Sequence, residues 1–102
     1  MKPPEEFERI IDRTRYSVQN AALVASDAYW DGKNFERKGR NTFLYRTKKG
    51  NWFTVKLTQW QGEQDTLMPI TLSKAIELYE WDLTEHEMEY TEAFPNVEIK
   101  DA

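Results

Sequence analysis

With 102 residues, fourteen aromatic side chains and 39% hydrophobic content, the chain has enough bulky apolar surface for one domain, and an ordered central region is expected. It contains no cysteine, which removes disulfides, thiol nucleophiles and thiolate metal sites and points to a reducing, cytoplasmic compartment. Its net charge is −4, no apolar run approaches the ~18–20 residues of a membrane helix, and the first residues lack a signal-peptide hydrophobic region.

The start of the chain reads as a short helix. Pro3 and Pro4 suit a first turn, Glu5 and Glu6 favour the positive end of the dipole, and Phe7, Ile10 and Ile11 fall on one helical face. From Arg15 to Gly32 the pattern fits either a helix or a turn followed by a strand. On a helix, Tyr16, Asn20, Leu23, Val24 and Asp27 would share a face. Asp31-Gly32 is a strong turn signal, so a strand over Ala22–Trp30 is preferred.

The clearest element is a hairpin over Asn41–Trp60, turning through Thr47-Lys48-Lys49-Gly50-Asn51 with Gly50 in the left-handed region. That loop pairs Tyr45 with Phe53 and Phe43 with Val55, which puts Phe43, Tyr45, Phe53, Val55 and Leu57 on one face. Thr42, Leu44, Arg46, Trp52, Thr54 and Lys56 take the other. A two-residue Lys49-Gly50 loop would mix the two sets, so the first register is preferred. A short edge strand follows at Thr66–Ile70, since Pro69 cannot donate to a ladder. Thr71 or Ser73 then caps a helix to Trp81, with Leu72, Ala75, Ile76 and Tyr79 as its apolar stripe. This helix is expected to cover the aromatic face. Beyond it come an extended segment and a turn ending at Pro95, with a second helix capped by Thr84 and Glu87 as a competitor.

The stretches RYSVQNAALVA, NTFLYRTKKGNWF, WQGE and PITLSKAIELYE resemble a loose group of small uncharacterised prokaryotic proteins. In that group a Tyr-rich strand, a LYRT…KG hairpin and a strand ending in Pro precede an EA-containing helix. The resemblance covers roughly residues 15–80. It implies a strand over Ala22–Trp30 and a prokaryotic or phage-like origin, and it carries no activity and no site residue.

Charge is sorted along the chain. Lys33 to Lys56 holds eight bases and one acid, a net +7, whereas Leu57 to Ala102 holds two bases and eleven acids, a net −9. A basic aromatic middle beside an acidic end can bind a polyanion, bind a basic partner or neutralise itself on folding. The candidate surface is Arg37, Lys38, Arg40, Arg46, Lys48, Lys49, Trp52 and Lys56, where cations meet phosphates and aromatic faces meet unpaired bases.

Other constellations give less. His86 stands alone between Glu85 and Glu87 and reads as a surface histidine. Asp27, Asp31 and Gly32 suggest a calcium loop, but Tyr29 and Lys38 stand where two of its ligands belong. No catalytic, cofactor or metal motif is found.

The expectation is one α+β domain over 1–102, with an N-terminal arm at 1–14 and a frayed tail at 95–102. An antiparallel sheet of three to four strands surrounds the hairpin, and one helix packs on one face. The preferred function is a non-enzymatic accessory or interaction protein that engages a protein partner or a second copy, with exposed Trp52 and Trp60 favouring a homodimer. Nucleic-acid binding through the basic hairpin is the alternative, and an acidic inhibitor of a nucleic-acid-handling protein a second one. No cofactor and no membrane association is expected.

Overall fold

The computed structural model describes residues 2–28 and 39–102. The chain is α+β and mostly strand. In order come β1 (Glu8–Ile11), β2 (Thr14–Ser17), β3 (Ala21–Ser26), β4 (Arg40–Thr47), β5 (Trp52–Thr58) and β6 (Thr66–Ile70). Helix α1 (Leu72–Glu77), a wider π-type turn (Leu78–Asp82), strand β7 (Glu85–His86) and helix α2 (Tyr90–Ala93) follow. Strands β6-β5-β4-β3-β7, in that order, form one antiparallel sheet, and β1-β2 form a separate two-stranded ribbon.

The central hairpin has the expected register. Phe43 pairs with Val55, Tyr45 with Phe53 and Arg46 with Trp52. Thr47 N–H donates to the Asn51 carbonyl at 2.8 Å and Gly50 N–H to the Thr47 carbonyl at 3.0 Å. Gly50 sits at φ +86°, where a side chain would be strained and glycine is not. The sheet has five strands rather than three or four, because β3 and the two-residue β7 extend it beyond the hairpin and β6.

Three expectations are corrected. The N-terminal segment is a β-ribbon, not a helix: Ile11 pairs with Thr14 across the tight turn Asp12-Arg13, with φ of +55° and +63°. In that ribbon Phe7, Ile11 and Tyr16 face the sheet at a period of two, and the β-branched pair Ile10-Ile11 suits a strand. The helix also covers the other face. Ala75, Leu78, Tyr79 and Leu83 pack with Val24, Leu44 and Trp52, and the aromatic face of Phe43, Tyr45, Phe53 and Val55 is covered by the ribbon instead. Third, α1 itself ends at Glu77, and Leu78–Asp82 continues as the π-type turn that carries Tyr79 into the core.

Thr71 caps α1, accepting the Lys74 N–H at 3.1 Å. Strand β3 stops at Ser26, short of the expected Trp30; Asp27 and Ala28 are not strand, and Tyr29 and Trp30 lie outside the described residues. A bulge between Leu23 and Ala25 lets Leu23 oppose Tyr45 while Ala25 opposes Leu44. The second helix begins at Tyr90 rather than Thr84, after the extended β7. The sheet is therefore a middle layer, with a core on each side.

Candidate functional site

The basic residues singled out in the sequence are not brought together. Arg37 and Lys38 lie outside the described residues. Arg40, at the start of β4, donates to both carboxylate oxygens of Glu63 at 3.1 and 2.6 Å and lies 5.4 Å from the centre of the Trp60 ring. Hydrogen bonds from Arg40 and from the Thr58 hydroxyl hold the Glu63 carboxyl below its ordinary range.

Arg46 is committed to structure. Its Nη1 donates to the carbonyls of Glu92 and Ala93 at 2.7 and 2.8 Å, which satisfies acceptors at the C-terminal end of α2. Trp52 is buried, not exposed, and stacks on Phe94 at 4.9 Å. That removes the reason for expecting it at a dimer contact or against a base. Trp60 is 52% exposed. The sheet face that carries Leu44 and Trp52 is thus largely closed by the C-terminal segment, through Tyr79, Leu83 and Phe94 and not through its carboxylates. His86 stacks on Tyr79 at 3.8 Å, and its Nε2 lies 2.9 Å from the Tyr79 carbonyl.

Lys48, Lys49 and Lys56 have no acidic partner among the described residues. Lys48 and Lys49 sit on the β4–β5 turn, and folding brings a second group of cations to them. A cleft of about 440 Å³ opens between that turn and the β1–β2 turn. Its walls carry Arg13, Arg15, Lys48 and Lys49, together with Tyr16 and Asn20, and no carboxylate or imidazole among the described residues lines it. Arg15 is shared with Glu8 at 3.4 Å, an exposed pair. Tyr16 also lines the cleft, its ring edge-on to Phe53 at 5.9 Å. Exposed cations with hydroxyl and amide neighbours can hold phosphate oxygens, and no group there is placed for proton transfer.

Arg13 and Arg15 lie outside the surface read from the sequence, because the helical spacing of Phe7, Ile10 and Ile11 masks the strand signal of that segment. The usable signal was the alternation of Phe7, Ile11, Tyr16 and Val18 on either side of Asp12-Arg13. Among the described residues no group of three His, Cys, Asp or Glu side chains is placed to hold a metal ion, and no helix is long and apolar enough to cross a membrane.

Compared with known protein families, with curated proteins and with solved structures, the chain matches none.

Proposed function

We propose that the chain is a non-enzymatic interaction protein whose contact surface is the turn end of the molecule, and that its ligand is the phosphate backbone of a nucleic acid. The observation that carries this reading is the cleft between the two β-turns, with Arg13, Arg15, Lys48 and Lys49 around it and no acid among its described lining residues. Concentrated positive charge of this kind gives sequence-tolerant affinity for phosphates even on a chain of net charge −4. Tyr16 and Asn20 offer a ring and an amide to a nucleotide held there. Relative to the sequence reading, the surface has moved from the face of the hairpin to its tip.

A labelled single-stranded oligonucleotide and a duplex of the same length, titrated by fluorescence anisotropy, test the reading. Binding should weaken steeply between ~50 and ~200 mM salt. Replacing Lys48 and Lys49 together by Ala should lower the slope of log affinity against log salt by roughly 0.7–0.9 for each phosphate that is no longer neutralised. Lys56→Ala should leave it unchanged, because Lys56 lines a different cleft with Thr54 and Met68. Absence of binding to either oligonucleotide at ~50 mM salt would remove the proposal.

A further inference from the structure

A second cleft, of about 560 Å³, has a different chemistry. It opens on the ribbon side of the sheet, with Phe43 and Tyr45 on its floor and Val18 and Leu23 beside them. The small side chains of Ala21 and Ala28 leave it room. Both floor residues are buried as a whole, but the Tyr45 hydroxyl, which makes no hydrogen bond among the described residues, stays accessible from the cleft. By contrast, the Tyr79 hydroxyl donates to the Met88 carbonyl at 2.6 Å and the Tyr90 hydroxyl to Glu80 at 2.7 Å. Burial pushes the Tyr45 phenol up to about 12, so near neutral pH it is a protonated donor facing the cleft. The rim carries Lys2, Glu5 and Glu87, charges of both signs that single out neither an anion nor a cation.

We propose that this cleft binds a small, flat, neutral ring compound carrying one hydrogen-bond acceptor, with the ring against Phe43 and Tyr45 and the acceptor on the Tyr45 hydroxyl. The volume lies within the ~300–1,000 Å³ of small-molecule sites, and the cleft joins apolar side chains to a few polar groups, the Tyr45 hydroxyl with the Gln19 amide and the Ser26 hydroxyl, as such sites do. A net ionic ligand is disfavoured because it would lose hydration over an apolar floor. The proposal does not depend on nucleic-acid binding, since none of its residues lines the basic cleft.

Coumarin, a neutral bicyclic lactone, is a suitable probe, followed by amide chemical shifts of the full chain. Saturable binding is expected, with shifts at Ala21, Leu23 and Ala28. Tyr45→Phe keeps the ring and removes only an unpartnered hydroxyl, so it should fold normally and weaken binding roughly two- to tenfold. Ala21→Leu should block binding by filling the cleft, while Lys48→Ala/Lys49→Ala should not alter it. No saturable binding would overturn the assignment. An unchanged affinity in Tyr45→Phe would do so too, whatever Ala21→Leu does, because the hydroxyl is the recognition element.

Discussion

At the scale of single residues, Arg13 shows a conflict between fold and site. It occupies the second position of a two-residue turn with φ +63°, a conformation that costs an L side chain about 1–2 kcal/mol. Glycine there would relieve that strain, less the ~0.5–1 kcal/mol of extra chain entropy glycine loses on folding. Arg13→Gly should therefore be neutral or stabilise by up to about 1.5 kcal/mol, while weakening oligonucleotide binding. Thermal melts and anisotropy on the same preparation check both halves. A stable variant with unaltered affinity would show that Arg13 is not part of the contact surface. Arg46 is the counter-example. Its charge is spent on the carbonyls of Glu92 and Ala93, so loss of binding in an Arg46 variant would report on α2 and not on a ligand.

At the scale of elements, the hairpin was legible because its information is local. A glycine turn and two alternating strands fix a register without reference to the rest of the chain. The N-terminal ribbon was not, because Phe7, Ile10 and Ile11 together satisfy a helical period while only Phe7 and Ile11 satisfy a strand period, and Asp12-Arg13 carries no glycine to mark the bend. Which face each layer covers was also hidden. Both faces of the hairpin carry large apolar residues, Phe43 and Phe53 on one and Leu44 and Trp52 on the other, so alternation alone could not say that both are buried. The basic cleft was unreadable for the same reason, since it forms only when the ribbon folds over the sheet. The edge strand, by contrast, was placed correctly from Pro69. In an antiparallel ladder Leu67 and Pro69 point to the same side. The Leu67 carbonyl accepts from Arg9 at 3.3 Å, away from the strand partner, so the missing N–H of Pro69 falls on the outer edge. That edge is guarded, although Met68 and Leu72 beside it are exposed. Pro69→Thr restores a donor there and should increase self-association in sedimentation velocity at rising concentration. An unchanged sedimentation coefficient would mean that the proline does not protect the edge.

At the scale of the whole molecule, one sheet separates two cores that draw on different stretches of the chain. The ribbon-side core uses Val18, Tyr45 and Phe53, and the helix-side core Trp52, Tyr79 and Phe94. Phe53 and Trp52 are neighbours on β5 and point to opposite sides, so neither core can lose its packing without disturbing the strand that supports the other. Phe94 is almost fully buried against Trp52, Tyr79 and Tyr90, and truncating such a ring costs about 3–5 kcal/mol. Phe94→Ala and Phe53→Ala should therefore each lower the midpoint of a single unfolding transition, whether it is followed by Trp fluorescence or by far-ultraviolet circular dichroism. If Phe94→Ala instead released the Trp52 signal at a lower denaturant concentration than the sheet signal, the C-terminal layer would be an independent unit. In that case the turn end could bind its ligand with the helices unfolded, and Lys48 and Lys49 would owe their placement to the two β-turns alone.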